Sequence, residues 1–312
     1  AQRVARSTVH RMSTLPLAWV QRSAPALSTP ATGRLGRLAV ASLHAELSCS
    51  PKPGLVTPFS RGSHHDMDAA TFLRSLFALR GYFTAVAAQG ARAPDFEPLR
   101  ALGLAAEARM LAATGGVNTH RGAIFSLGLL VAGAARLEAR YGRPACADEI
   151  CRAVSDWQQP LLGAPLDPLS PGQRACRAHG IEGVREQAAR GFPLLREVAV
   201  PALRDARLHG SDEEAARVHA LMSLVAVTDD LNLLHRGGMA GLRLAQAQAA
   251  SFLAQGSVRQ PDWRAQVARI SRRFEARRLS PGGSADLLAC ALFLLAQQSA
   301  DGATRLHGGG TA

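Results

Sequence analysis

Residues Thr119–Tyr141 read THRGAIFSLGLLVAGAARLEARY. Apolar side chains recur along this stretch at helical spacing. The same periodicity continues in both directions. Helices are expected at about 34–48, 69–90, 96–114, 119–141, 147–159, 184–207, 212–227, 238–255, 262–278 and 284–299. No segment shows a period-two alternation of β-branched residues, and a chain rich in Ala and Leu with only 5% aromatic residues favours helix over sheet. The expected fold class is therefore all-α: a single helical domain of about ten helices, with its site at the helix-end loops.

Breakers punctuate the pattern. Ser50–Ser63 holds three prolines and two glycines and reads as an irregular loop. Gly115-Gly116 ends a helix, Leu161–Gly172 reads as a surface excursion, and Gly237-Gly238 and Pro281-Gly282-Gly283 open late helices. The expected organisation is a leader or disordered segment over 1–33, a catalytic domain over 34–300 and a flexible tail over 301–312.

The 312 residues are long enough to bury a substantial core. The formal charge is +12, and half of it comes from six arginines before Glu46, a stretch without any acid. Few aromatics and no basic run exclude a nucleic-acid reader. The apolar runs at Gly122–Ala135 and Leu287–Ala296 are too short to span a bilayer and fit buried helices. Five cysteines without a CxxC pair read as reduced thiols of a cytoplasmic protein, not as a disulfide or zinc framework.

Of the 36 basic residues, Lys52 is the sole lysine. It stands in Ser50-Pro51-Lys52-Pro53-Gly54, where a compact ammonium is kept in a chain that otherwise writes Arg. Lys is a point charge and a common phosphate partner. Further polar residues cluster where helices begin or end, where backbone groups are free to meet a ligand. Asp68 is a natural N-cap for a helix from Ala69, and with Asp66 it could reach one Mg²⁺ from the loop. Asn118 can cap the next helix, placing His120 and Arg121 at its positive end, where an anion would offset their charge. If Thr228–Gly238 is helical, Asp229, Asn232 and Arg236 share one stripe, suited to a metal–phosphate pair. Ser280-Pro281-Gly282-Gly283-Ser284 is a helix start whose N–H groups can form an anion nest, though it is not a Walker loop. Arg185 is a further phosphate candidate. These loops together describe a site that binds polyphosphate with a metal and performs a displacement, not acyl transfer.

Pro51-Lys52-Pro53-Gly54-Leu55-Val56, His65-Asp66-Met67-Asp68, Asn118-Thr119-His120-Arg121-Gly122, Asp230-Leu231-Asn232 with Arg236-Gly237-Gly238, and SPGGSADLLA at Ser280–Ala289 resemble, in order, the motifs of the triphosphoribosyl-dephospho-CoA synthase family. The form TDDLNLLHRGG at Thr228–Gly238 is most similar to its malonate decarboxylase branch, as opposed to the citrate lyase branch. Departures are Thr57-Pro58-Phe59-Ser60-Arg61 after Leu-Val, and Glu186-Gln187 where a Gly-Glu pair is expected.

The resemblance implies an all-α transferase. It joins ATP and 3′-dephospho-CoA to give 2′-(5″-triphosphoribosyl)-3′-dephospho-CoA and adenine. The product is the precursor of an acyl-carrier prosthetic group, passed on to a separate transferase. On that reading Lys52, Arg121, Arg185, Arg236 and the Gly282–Ser284 nest bind phosphates, with Asn118, Asn232 and Ser280 as neighbouring substrate contacts. Asp229 and Asp230 hold Mg²⁺, with Asp66 and Asp68 as the second candidate pair. Asp66, Asp68 or His65 is the general base, and His120 the acid for adenine. No membrane or nucleic-acid partner is implied, and the oligomeric state, a dimer among the options, stays open. Two other readings fit the residues alone: a Mg²⁺-dependent helical enzyme of prenyl-synthase type, which would need a second acidic motif, and a non-catalytic adaptor of the carrier subunit.

Overall fold

A computed structural model describes residues 29–92, 95–163 and 171–307. Thirteen α-helices follow in order among these residues: α1 (Thr29–Leu47), α2 (Ala69–Arg92), α3 (Phe96–Thr114), α4 (Arg121–Tyr141), α5 (Ala147–Ser155), α6 (Gln158–Gly163), α7 (Pro171–His179), α8 (Val184–Ala189), α9 (Val200–Leu208), α10 (Glu213–Val227), α11 (Leu231–Ala254), α12 (Trp263–Ala276) and α13 (Gly282–His307). The only β pairing among them is an isolated bridge between Thr57 and Ser60. The all-α expectation holds, with more and shorter helices than the sequence pattern resolves.

The stretch that opened the reading is the central helix. Residues Ser126 to Ala135 of α4 are buried on every face, among them Leu127, Leu130 and Val131. The helix is longer than the apolar run suggested. Its 21 residues are long and apolar enough to cross a membrane, yet 72% of the apolar window is buried inside the protein. Its composition is that of a core helix wrapped by others. Helices α1, α2, α13, α3 and α5 pack around it. The crossing with α2 is close because position 90 carries no side chain: a Cβ on Gly90 would stand 2.4 Å from the Ala132 carbonyl oxygen. Arg34 of α1 ties three helices together, donating to Gln297 of α13 at 2.8 Å and Glu138 of α4 at 2.5 Å. One apolar cluster then runs from Leu35 through Phe83, Ile124, Leu221 and Phe274 to Phe293.

Two helices differ from expectation for local reasons. The span 184–207 is broken after α8, where Gly191 and Phe192 take φ of +69° and +50° and Pro193 removes a donor. A π turn at Leu195–Ala199 then leads into α9. Helix α11 starts at Leu231, not at Gly238. Asp230 caps it, accepting from Asn232 N and Leu233 N, and Gly238 (φ 60°, ψ −168°) kinks the helix where it was expected to begin. Helix α1 begins at Thr29 and α13 runs to His307. Of the leader expected over 1–33 and the tail expected over 301–312, residues 1–28 and 308–312 lie outside the described residues.

Candidate active site

The N-terminal ends of α2, α4, α11 and α13 open on one cavity of about 1080 Å³. That exceeds the roughly 300–1,000 Å³ of a pocket for one drug-sized ligand. Lys52, Asp66, Asn118, His120, Arg121, Arg185, Asp229, Asp230, Asn232, Arg236, Ser280, Gly282 and Gly283 all line it. Sequence positions more than 200 apart therefore meet on one wall. Asp68, His65 and Ser284 are not on it.

The loop before α2 is fastened to the loop before α13. Ser63 donates its hydroxyl to the Leu279 carbonyl at 2.5 Å, and its N–H to the Gly54 carbonyl at 3.1 Å. Arg236 of α11 closes the junction, donating to the Ser63 and Arg278 carbonyls at 3.2 and 3.3 Å and to His64 Nδ1 at 2.9 Å. A guanidinium only donates, so His64 Nδ1 is the acceptor, and Nε2–H donates to Ser280 Oγ at 2.9 Å. Burial first, then the Arg236 charge, lowers the His64 pKa to about 4. His65, a candidate base, is exposed and off the wall, and the histidine that this loop brings to the wall is His64.

Lys52 was expected on a phosphate. Its ammonium sits buried against Glu46, at 2.5 Å from the carboxylate and 2.8 Å from that residue's carbonyl. Glu46, the first acid in the chain, was missed because nothing in its local sequence marks it.

Asp230 was expected beside Asp229 on a metal. Both its oxygens are committed: Oδ1 to Asn232 N and Leu233 N, Oδ2 to Ser284 N at 2.8 Å and Ser284 Oγ at 3.0 Å. The anion nest at the start of α13 is thus filled, at Ser284, by a carboxylate of the protein itself. A Cβ on Gly283 would lie 3.2 Å from Asp230 Oδ2, so the glycine lets the two helix starts approach. Burial raises the Asp230 pKa against these bonds. Because the helix starts at Leu231, Asp229 stands outside it and not on the expected stripe with Asn232 and Arg236. It is exposed and accepts from Gln246 Nε2 at 3.2 Å.

Asp68 is the N-cap that was expected, accepting from Thr71 N and Thr71 Oγ1 at 3.0 and 2.9 Å. These bonds hold its pKa below the usual range. Asp66 faces the cavity with its side chain 60% exposed, 3.8 Å from His64 Nδ1. Asn118 Oδ1 accepts from Arg121 N at 3.1 Å, and the Arg121 guanidinium pairs with Glu107 at 3.0 Å. In α8, Glu186 accepts from Gly183 N at 2.9 Å, which gives this departure from the family pattern a capping role.

Two further groups on the wall come from α4 and α13. His120 is buried; its Nδ1 meets Ser75 Oγ at 2.6 Å, its ring lies edge-on to Phe72, and its Nε2 has no partner. Burial, then the Lys52 charge, lowers its pKa to about 4. Asp286 accepts from Ala123 N in the first turn of α4. It fits there because a Cβ on residue 122 would be 2.0 Å from its Oδ2, and residue 122 is glycine. Burial, then the charges of Glu46 and Asp230, raise the Asp286 pKa well above the usual carboxylate range. Asp286 stood in the quoted SPGGSADLLA stretch, but only the fold shows its neighbours.

Among the described residues no group of three or more His, Cys, Asp or Glu side chains is placed to hold a metal ion. The exposed carboxylates of Asp66 and Asp229 fit an ion that keeps most of its shell as phosphate oxygens and water, as Mg²⁺ does. Burial pushes the Cys49 and Cys151 thiols up to about 12, so neither is a thiolate nucleophile.

A family model described as ATP:dephospho-CoA triphosphoribosyl transferase matches residues 32–305. The 2-(5″-triphosphoribosyl)-3′-dephosphocoenzyme-A synthase of Klebsiella pneumoniae is 42% identical over 264 residues, covering 83% of this chain and 93% of that protein. Probable synthases of the same name from Acinetobacter calcoaceticus (39% over 270 residues, 84% of this chain and 90% of that protein) and Albidiferax ferrireducens (41% over 270 residues, 83% and 89%) are similar throughout. No solved structure matches. With four helix starts gathered around one cavity, and with that match over nearly all of its described length, the chain belongs to the ATP:dephospho-CoA triphosphoribosyl transferase family and is a transferase.

Proposed function

We propose that the cavity seats ATP and 3′-dephospho-CoA together, and that the 2′-hydroxyl of the second displaces adenine from C1′ of the first. The C1′–N9 bond breaks, the C1′–O2′ bond forms, and the triphosphate stays on the transferred ribose. The observation that carries this reading is the convergence of Lys52, Asp66, Arg121, Asp229 and Gly283, from five separate stretches, on one cavity.

The residues divide by their surroundings. Arg121, Arg185 and Arg236 present cationic groups to the phosphates of the two substrates, and Lys52 holds the wall in place through Glu46. Bound Mg²⁺ would neutralise triphosphate charge, with Asp229 as its protein ligand. Asp66, the exposed carboxylate of the α2 loop, takes the 2′-hydroxyl proton. His120 was expected to be the acid. With its pKa near 4 it is neutral at ordinary pH, and a neutral imidazole can donate a hydrogen bond but not readily a proton. Asp286, on the same wall and with its neutral form favoured by burial and the neighbouring carboxylates, is the group placed to supply the proton that adenine needs to leave. A single displacement inverts the anomeric centre, through a transition state of oxocarbenium character as in other glycosyl transfers.

The form of Thr228–Gly238 supports the malonate decarboxylase branch, where the product would pass to a separate transferase acting on the acyl-carrier subunit. The five free cysteines fit a reducing, cytoplasmic setting. Mass spectrometry of a reaction with ATP and 3′-dephospho-CoA tests the chemistry. A triphosphoribosylated product together with free adenine is expected. Release of phosphate or diphosphate in place of adenine overturns it.

A further inference from the structure

His120 is the one cavity-wall histidine whose second nitrogen is buried and unpartnered, and Ser75 explains which of its nitrogens carries the proton. Ser75 lies in the middle of α2 and is fully buried. Serine hydroxyls in helices often donate to the carbonyl one turn back, as Ser42 and Ser223 do here. The Ser75 hydroxyl makes no such bond: its partner is His120 Nδ1, at 2.6 Å. A buried hydroxyl proton left without an acceptor is costly, so the proton points at Nδ1. Nδ1 is therefore an acceptor, and the single proton of the neutral ring is on Nε2.

That Nε2–H is buried, has no partner in the protein, and belongs to a side chain on the cavity wall. One side of the ring is apolar, and the charge felt at the ring is that of Lys52, whose ammonium is already paired with Glu46. The ring packs edge-on to Phe72, which in turn packs against Leu47, Val56 and Met67. A lone N–H donor beside an aromatic ring, with the nearby ammonium already paired, fits an acceptor nitrogen of a flat heterocycle better than it fits a phosphate, whose several oxygens need several donors.

We propose that Ser75 is a positioning residue that locks His120 as an Nε2–H donor, and that this donor binds an acceptor nitrogen of the adenine ring in ATP. The inference rests on the proposed reaction and specifies its base subsite. The hydrogen bond strengthens as negative charge builds on the departing base, so it favours cleavage over binding alone.

The test uses the full chain with ATP, 1-deaza-ATP, 3-deaza-ATP and 7-deaza-ATP, following base release with 3′-dephospho-CoA as acceptor; no penalty with any of the three analogues overturns the inference. Replacing the acceptor nitrogen by C–H should lower kcat for the wild type by about tenfold or more, the usual scale of one lost transition-state hydrogen bond. In His120→Ala the same analogue should cost little further. In Ser75→Ala the discrimination should shrink while KM changes little. Nitrogen-15 NMR of the imidazoles should show His120 as the Nε2–H tautomer in the wild type and a mixture in Ser75→Ala. An Nδ1–H tautomer in the wild type, or equal analogue penalties in the wild type and His120→Ala, overturns the inference while leaving the reaction intact. Failure of the wild type to release adenine from ATP removes the reaction itself, and the tautomer is still decided by NMR.

Discussion

Asp230 and Ser284 are 54 positions apart in sequence, yet the aspartate Oδ2 lies 2.8 Å from the serine N–H and 3.0 Å from its hydroxyl. One carboxylate thereby caps α11 and receives the first turn of α13, fixing two helix starts against each other at the cavity. Replacing Asp230 by Ala removes a cap and strands buried donors, so it should destabilise the fold by roughly 2–4 kcal/mol in chemical denaturation. The neighbouring Asp229→Asn should leave stability within about 0.5 kcal/mol, while lowering turnover and raising the Mg²⁺ concentration needed. Near wild-type turnover at limiting Mg²⁺ would remove Asp229 from the metal site.

Lys52 and Glu46 make the second test. Removing one member of a buried ion pair leaves the other uncompensated, so Lys52→Met should cost about 3–5 kcal/mol. The double change Lys52→Met with Glu46→Gln should recover much of that loss. If Lys52→Met instead folds as stably as the wild type and only raises KM for ATP, the ammonium acts on phosphate and not on the wall.

Asp286 and Gly122 separate chemistry from space. Asp286→Asn keeps the shape but cannot deliver a proton, so kcat should fall by about 100-fold, at the lower end of general acid contributions. The fold should survive, because a half-buried carboxyl whose charged form is disfavoured is replaced by a neutral group of the same shape. Gly122→Ala places a methyl group where the carboxyl sits, and should cost about 1–3 kcal/mol through overpacking. Thermal melts beside adenine-release assays distinguish the two.

The acid side of the stability profile follows from His64 and His120. Both have folded pKa values near 4, below the ordinary value of 6.5. Between pH 6.5 and 4 the unfolded chain binds protons that the folded chain refuses. Their contribution to stability is complete above that window and is lost as pH falls through it. Asp230 and Asp286, with raised pKa values, act in the opposite sense, favouring the folded state at lower pH. The comparison that isolates histidine is therefore a difference. Wild type minus His120→Gln, measured by urea unfolding at several pH values, should decline on going from pH 7 to about pH 4. A flat difference would mean that the imidazole is protonated equally in both states.

Much of this was legible in the chain. The apolar period of Thr119–Tyr141 marks a core helix, and Asp68 was recognisable as a cap because its oxygen bonds backbone three residues on. Asn118 accepts from Arg121 N in the same way, but the N-cap position of α4 falls on His120, which is thus outside the first turn. The gathering of polar residues at helix starts pointed to one site, and all of them except His65, Asp68 and Ser284 line one cavity. What local pattern could not supply was pairing over distance. His64 matters because Arg236, 172 positions later, donates to it, and His65 beside it has no such partner on the wall. Glu46 is defined by Lys52, and Asp286 by the missing side chain at Gly122. The stripe drawn through Asp229, Asn232 and Arg236 assumed that the helix already existed at Asp229, whereas the cap at Asp230 starts it two residues later.

The 1080 Å³ chamber carries a kinetic demand of its own. If it seats ATP and the coenzyme together, as proposed, it admits solvent when only one is present, and an activated sugar exposed to solvent is open to hydrolysis. Order of addition then becomes a safeguard. If the coenzyme enters first, the sugar of ATP is shielded on arrival; if ATP enters alone, the enzyme risks spending it as free ribose triphosphate and adenine.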